Sequence, residues 1–478
     1  MNRIRVLGAA LAALALGFAG TAASAQSLDE VLIQTYDTNP RLQAQRAQLR
    51  SIDEQVSQAF ARYRPDVAVV GSSEASQNEL SDVETFGGTT DESQTLWTNR
   101  IALNLNQNIY EGGGTVARID GAVKQVGQQR AVLQSVEQEV FLDAVTAYTD
   151  VVAARRVVDL AINNEERLER QRQATVDRFE VGEVTRTDVA QAEARLAGAV
   201  ADRIAAEGEL AQAVARFEAV VGFRPDELTT RFADLVGRPA SLVAAQARAE
   251  KNPGLTAAEF AVDVALADVR VAQADLLPTV DLAGSVGYID EPSDTIGSQT
   301  DARVSATITI PLYQTGAEYS RVRQQKQVVD QRRRELDDTR REVTRNVTEA
   351  WEGLQTATAA ARSFEEQVRA NDIALEGVRT EAQVGARTVL DVLDAEQELF
   401  QSEVDLVDAR ATEVVALYTL QAAMGELTAE ALELDVEIYA PDDHFRTVRT
   451  QAFGTTAGRR TTALEDVDFA REWGLVDD

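Results

Sequence analysis

The chain contains two copies of one sequence pattern, and this internal repeat restricts its fold more than any other feature. Asn39-Pro40 recurs 213 residues later as Asn252-Pro253. Five further positions recur at an offset of 203 residues: Tyr110, Tyr148, Gly182, Asp188 and Gly222 match Tyr313, Trp351, Gly385, Asp391 and Gly425. Agreement at so many separated positions indicates a tandem duplication, so both halves should contain the same elements in the same order.

Each half contains two segments with the two-residue period of β-strands. Ile101–Ile109 alternates apolar residues with small or polar ones, and Val304–Leu312 does the same. Shorter runs with the same period, Val67–Gly71 and Val280–Tyr288, precede them. The sequence therefore predicts two strands in each half.

Polar stretches separate the two strands of each half. Ser76–Gln94 and Asp290–Asp301 are predicted to be hairpin loops. One interpretation of the strands is the edge of a soluble β-sandwich. However, strands of about ten residues also match the length that crosses a bilayer at a tilt. Because a barrel needs about eight strands, four strands in a membrane would have to be shared among several copies of the chain.

Very long helices are predicted after each strand pair. Gly114–Val181 and Gly316–Val384 contain no proline, and at about 1.5 Å per residue each would form a helix roughly 100 Å long. The following helices carry apolar residues spaced by three, four and seven: Val189, Leu196, Ile204, Leu210, Val214, Phe217 and Val221, then Val392, Leu399, Val407, Val414, Leu417, Leu420 and Met424. This spacing is typical of coiled-coil packing.

The N-terminus has the layout of a secretory signal peptide. Arg3 and Arg5 precede the apolar run Val6–Ala19, and Ala23-Ser24-Ala25 is a small-x-small cleavage pattern. A membrane-anchoring helix is the alternative, but the run is shorter than the ~20 residues that a span requires. The chain is therefore predicted to be exported.

Composition excludes several classes of function. Among 478 residues there is no cysteine and one histidine, and 47 Lys+Arg stand against 78 Asp+Glu, a net charge of −31. Thiolate and multi-histidine metal sites are excluded, and the acidic balance argues against a nucleic-acid partner. Because no nucleophile constellation is evident, we expect neither an enzyme nor a cofactor. His444 is expected to be solvated and is assigned no role.

The same turn motif ends both long helices. Gly182 and Gly385 are predicted to terminate them in the left-handed region, and Thr185 and Thr388 to cap the helices that follow. Asp188 and Asp391 lie three residues after these threonines, which is the spacing of a capping box.

Asp394 lies one turn beyond Asp391 and is not needed for the cap, whereas the first half has Gln191 at its place. A carboxylate pair with this spacing could be an acid/base pair, a metal site, a solvated helix face or a charged ring in a pore.

The chain resembles the TolC family of outer-membrane channel proteins over nearly all of its mature length. The matching motifs are Arg178–Gly182 with Thr187–Val189, Val384–Ala395, and Tyr313–Gly316 at a strand-to-helix junction. The resemblance implies a mostly α fold with a small β part: a homotrimer with four strands per chain in one twelve-stranded outer-membrane barrel. Long helical hairpins would form a tunnel that crosses the periplasm and docks on an inner-membrane ABC or RND-type transporter with its periplasmic adaptor.

The resemblance also implies roles for single residues. Asp391 and Asp394 correspond to acidic rings at the periplasmic entrance of the tunnel. Arg387, Thr187 and Asp188 correspond to links that hold the entrance closed. Ala382 stands where well-known members have a tyrosine, so that aromatic link is absent.

The expected organisation is a signal peptide (1–25), a first repeat (26–222), a linker (223–240), a second repeat (241–425) and a C-terminal segment with a mobile tail (426–478). The expected function is passive, gated export, in drug efflux or type I protein secretion. A periplasmic coiled-coil adaptor is the alternative, although it gives no reason for four amphipathic strands. An exported hydrolase would need a nucleophile constellation.

Overall fold

The computed structural model describes residues 26–85, 88–225, 228–229, 237–293 and 296–455. The predicted signal peptide, part of the linker and the tail beyond 455 lie outside these residues. In chain order the elements are α1 (Leu28–Thr38), α2 (Pro40–Ala61), β1 (Asp66–Thr85), β2 (Gly88–Glu111), α3 (Gly114–Glu180), α4 (Arg186–Val221), α5 (Leu242–Arg248), α6 (Pro253–Ala274), β3 (Thr279–Ser293), β4 (Ile296–Thr309), α7 (Ala317–Gln383), α8 (Val389–Met424) and α9 (Pro441–Val448), with a 3₁₀ turn at Ala249–Lys251.

The predicted mostly helical fold with two very long helices is confirmed. Helices α3 and α7 each contain 67 residues, and each begins within one residue of the predicted start. The chain divides into two compact units, and each unit takes segments from both repeats. Of the described residues, those within 1–43, 135–252 and 343–438 form a helical unit, and those within 44–134, 253–342 and 439–478 form a sheet-bearing unit.

The helical unit is held together by apolar contacts among α3, α4 and α8. Near the helix turns, Leu168 of α3, Ala192 and Ala199 of α4, and Val389 and Leu393 of α8 form one buried cluster. A second cluster contains Leu160, Ala161, Ala206 and Phe400. Helix α8 therefore packs on both helices of the first hairpin.

Of the seven apolar positions predicted for the buried stripe of α4, Phe217 and Val221 are buried, while the others are only partly buried or exposed. Ile204 is 57% exposed, whereas Ala192, Ala199, Ala206 and Ala213 are buried at seven-residue intervals. The predicted stripe of α8 is largely correct, since Val392, Leu399, Val414, Leu417, Leu420 and Met424 are buried. Alanines let α4 approach its neighbours closely, so the large apolar residues of α8 supply most of the buried side-chain volume.

The four strands form one antiparallel sheet in the order β1-β2-β3-β4. They contain 20, 24, 15 and 14 residues, so the prediction of ten-residue strands with loops at Ser76–Gln94 and Asp290–Asp301 is wrong. Pairing continues through these polar stretches as far as Thr85↔Gly88 and Ser293↔Ile296. Ladder bonds join backbone groups, so polar side chains did not end the strands. Strand β4 ends before Pro311, which has no N–H to donate.

The register places most of the large apolar residues of the four strands on one face. Val69 pairs with Leu103, Leu103 with Val286, and Val286 with Ala302. The neighbouring rows carry Ala68, Asn104, Ser285 and Arg303 on the opposite face. Within one protomer the apolar face is uncovered: Val69 is 67% exposed and Val304 is 80% exposed. The exposed apolar face of such a sheet needs an apolar surface or an apolar solvent to cover it.

Both hairpin turns of the helical unit have the same backbone structure. Gly182 (φ 81°) and Gly385 (φ 78°) adopt the left-handed conformation. Glu183 N–H then bonds to Arg178 O, and Ala386 N–H to Glu381 O, each at 2.9 Å, which closes the end of the long helix.

Capping boxes start the two helices that follow. The Thr388 amide donates to Asp391 Oδ2 at 2.9 Å, and the Asp391 amide donates to Thr388 Oγ1 at 3.2 Å. Thr185 and Asp188 repeat this arrangement at 2.7 and 3.3 Å.

In the sheet-bearing unit, the segment around α9 packs on α2 and α3. His444 Nδ1 lies 2.9 Å from Asp53 Oδ2, and the two side chains are 13% and 1% exposed. Arg130 pairs with Asp442 at 2.7 Å. The expectation that His444 is solvated is therefore wrong, because its ring is a partner of a buried carboxylate.

No helix within the described residues is both long enough and apolar enough to span a membrane.

The helix caps give a first prediction. Thr388→Ala removes the acceptor of the Asp391 amide and should destabilise the start of α8 by about 1 kcal/mol, whereas Thr388→Ser keeps it. Hydrogen exchange of the first-turn amides of α8 should be faster in the alanine variant alone. Equal exchange in both variants would show that packing, not the cap, holds this turn.

The Asp53–His444 contact gives a second prediction. Burial raises the pKa of Asp53, while the His444 hydrogen bond and the charges of His444 and Arg130 oppose the rise and Asp442 adds to it. A raised folded-state pKa stabilises docking at low pH, and this stabilisation is lost as pH rises through that pKa. As pH falls from neutral towards the ordinary carboxyl pKa of 3.8, amides of α9 should therefore gain protection beyond the intrinsic change in exchange.

Asp53→Asn should flatten this dependence, and Asp443→Asn, at an exposed position of α9, should retain it. Parallel pH profiles for all three proteins would exclude Asp53 as the titrating group.

Candidate functional site

The candidate site is the pair of hairpin turns in the helical unit, where the sequence places Gly182, Thr185, Thr187 and Asp188 in one turn and Gly385, Arg387, Thr388, Asp391 and Asp394 in the other. The carboxylates of these turns have different environments. Asp391 accepts hydrogen bonds from the amide and hydroxyl of Thr388 at 2.9 and 2.8 Å. These bonds, with a smaller contribution from the charge of Arg387, hold the pKa of Asp391 below its usual value. The cap therefore preserves the negative charge of Asp391.

Asp394 has a cationic partner on the other hairpin. Arg195 Nη2 of α4 donates to Asp394 Oδ1 of α8 at 2.6 Å. The arginine and aspartate side chains are 40% and 51% exposed, so the pair faces water. Sequence analysis missed Arg195.

The predicted closing links do not form within one protomer. Arg387 Nε donates to Glu381 Oε2 at 2.8 Å across its own turn, and this bond raises the pKa of Arg387. Asp188 serves as the partner of Thr185 in the first cap. Thr187 is exposed. Within the described residues, the structure does not bring Arg387 together with Thr187 or Asp188.

A second ion pair missed by sequence analysis lies just beyond the turn. Arg379 of α7 donates to Glu396 of α8 at 2.8 Å, and the Glu396 side chain is only 2% exposed. The apolar stripe gave no sign of this contact, because Glu396 occupies a buried position between Val392 and Leu399. The sequence offered one sign of this ion pair: Glu396 is a charged residue at a position of α8 where the apolar spacing predicts burial.

The sequence also held a signal for Arg195. Gln191 is the counterpart of Asp394 in the first repeat, and Arg195 follows it by one helical turn. Because α4 and α8 contact each other, a long cation one turn from the matching position can reach Asp394.

A cavity of about 1150 Å³ lies among α3, α4, α7 and α8 in the helical unit. Its lining includes four carboxylates, Asp150, Glu209, Glu349 and Asp408, and one guanidinium, Arg216. Burial raises the pKa values of Asp150 and Asp408. Four carboxylates against one guanidinium make the lining acidic.

Across the described ranges, no group of three or more histidine, cysteine or acidic side chains is placed to hold a metal ion. The turns present charged and hydrogen-bonding groups to solvent.

Comparison with known proteins identifies the family. Residues 31–222 and 244–426 match the family model described as outer membrane efflux protein. Outer membrane efflux protein BepC of Brucella suis biovar 1 is 34% identical over 438 residues, 91% of this chain and 93% of BepC. Outer membrane protein TolC of Escherichia coli K12 is 25% identical over 437 residues, 88% of this chain and 87% of TolC.

A solved structure shows the same fold. The Campylobacter jejuni CmeC outer membrane channel superposes with a TM-score of 0.72 at 15% identity, covering 88% of this chain and 89% of that chain.

The predicted family resemblance, outer-membrane location and channel function are confirmed by these matches. The family consists of channels and is not a family of enzymes. The chain therefore belongs to the outer membrane efflux protein family and is an export channel protein of the bacterial outer membrane.

Proposed function

We propose that three copies of the chain form one gated channel through which substrates leave passively. An inner-membrane transporter of the ABC or RND type, together with a periplasmic adaptor protein, delivers the substrates. The duct serves drug efflux or type I protein secretion. The observation that carries this proposal is the sheet, whose apolar face and both edge strands are unpartnered in one protomer.

The apolar face supports insertion in lipid. Val69, Leu103 and Val286 form one cross-strand row and are 67%, 47% and 54% exposed. Trp97, Tyr110 and Tyr288 are also exposed, and aromatic residues are frequent where barrels meet the membrane surface. The opposite face carries mainly small and polar residues, as expected for a face that lines water.

The edges support assembly. In the part of the chain that the structure describes, β1 and β4 each pair on one side only. Unpaired strand edges are costly in lipid, since their backbone groups find no partner there. The sheet has an even number of antiparallel strands, so β4 of one copy meets β1 of the next with antiparallel polarity. Three copies then supply twelve strands, above the minimum of about eight for a barrel.

The hairpin turns form the periplasmic entrance in this proposal. Threefold assembly makes Asp391 and Asp394 rings of three carboxylates, and such rings favour cations. Arg387 pairs with Glu381 within its own turn. Because the described residues of one copy show no contact of Arg387 with Thr187 or Asp188, we assign these links to neighbouring copies.

Assembly and conduction test the proposal together. Detergent-extracted protein should cross-link to a trimer and no further, and heating should convert the trimer to monomer. The trimer should open discrete, cation-preferring conductance steps in planar bilayers. A water-soluble monomer that opens none would instead favour the periplasmic adaptor.

The entrance links give a separate prediction. Arg387→Ser should raise single-channel conductance severalfold, because it removes a cation that joins neighbouring copies while keeping both acidic rings. Arg172→Ser is the matched control, since Arg172 pairs with Glu169 on its own helix at 2.8 Å. Single-channel recording would contradict the link if both variants conduct like the parent.

A further inference from the structure

The two carboxylates of the proposed entrance differ in their electrostatic partners. Asp391 is bonded to neutral groups of Thr388, so its charge is not cancelled. Asp394 contacts the guanidinium of Arg195 at 2.6 Å. Each protomer therefore contributes one uncompensated carboxylate and one neutralised pair.

Arg387, the cation nearest in sequence to Asp391, does not neutralise that carboxylate. The strongest interaction of Arg387 is with Glu381, at 2.8 Å. Its effect on Asp391 is weaker than the effect of the Thr388 hydrogen bonds. Among the described residues, Arg195 is thus the cation that forms an ion pair with a carboxylate of the second turn.

We propose that Arg195 tunes the ion selectivity of the channel by neutralising Asp394, so that of the two carboxylates of the second turn Asp391 alone keeps an unbalanced negative charge. This inference rests on the proposed trimeric channel. From Asp391, Asp394 and Arg195 together, three copies then contribute three net negative charges, whereas the two acidic rings without Arg195 would contribute six. The cation preference is weaker than two acidic rings would produce.

The exposure of the pair indicates an electrostatic role rather than a stabilising one. Half-exposed ion pairs contribute little to stability because water screens them and their side chains lose freedom. The buried clusters around Leu393 and Phe400 already hold α8 to the first hairpin. The charge of Arg195 still acts on ions that pass within a Debye length, about 8 Å at physiological salt.

The test measures selectivity separately from conductance. Arg195→Gln should expose the charge of Asp394 and raise the cation-to-anion permeability ratio, read from reversal potentials in a salt gradient, roughly sevenfold for a change of about one kT in pore potential. Block by a trivalent cobalt hexammine cation should strengthen. Arg195→Lys should behave like the parent because it keeps the charge.

Two further variants separate charge from structure. The double variant Arg195→Gln/Asp394→Asn restores the net charge and should return selectivity to the parent value. Arg203→Gln removes another guanidinium of α4, one that pairs with Glu165 and Glu207, and should leave selectivity unchanged.

The proposal fails if Arg195→Gln conducts with the parent's reversal potential and cation block. It also fails if the double variant stays as altered as Arg195→Gln, because the change would then be structural. A parent protein that opens no channels would overturn the proposed function itself, so the two failures are distinguishable.

Discussion

The packing of α8 on the α3–α4 hairpin is the interaction on which the rest of the helical unit depends. A helix of 67 residues gains little from its own propensity and needs contacts along its length. Alanines at seven-residue intervals on α4 allow close approach, and Leu393 and Phe400 of α8 supply the buried volume. This packing fixes the register of α8 against α4, and the register determines which charged side chains meet near the turns.

Local signals explain most of what could be predicted from the sequence. The absence of proline, the two turn glycines and the Thr-x-x-Asp caps act within a few residues, so helix ends and turns were predicted within a residue or two. Strand ends were missed, since ladder pairing depends on a partner strand rather than on apolar side chains. The Arg195–Asp394 and Asp53–His444 contacts join residues 199 and 391 positions apart. Their detection required the tertiary register.

The duplication also shows how equivalent helices became different. Capping threonines and aspartates occur in both repeats, because each helix needs its first amides satisfied. Beyond the caps the charges diverge: α4 carries Gln191 and Arg195 where α8 carries Asp394 and Glu398. Because the first repeat has Arg195 where the second has Glu398, the two repeats of one chain can form the Arg195–Asp394 ion pair.

Arg195 belongs to a chain of net charge −31. Its proposed effect on ion selectivity is larger than its contribution to the free energy of folding. Two unit charges about 4 Å apart attract by only about 1 kcal/mol in bulk water, which is small beside the buried clusters next to them. In a narrow water-filled passage, low-dielectric walls focus the field of each uncompensated charge on the passing ion. The Arg195–Asp394 pair therefore adds little to the free energy of folding, yet in the proposed channel it changes the negative charge near a passing solute. In the proposed trimer, threefold symmetry triples the charge that each copy contributes to the passage.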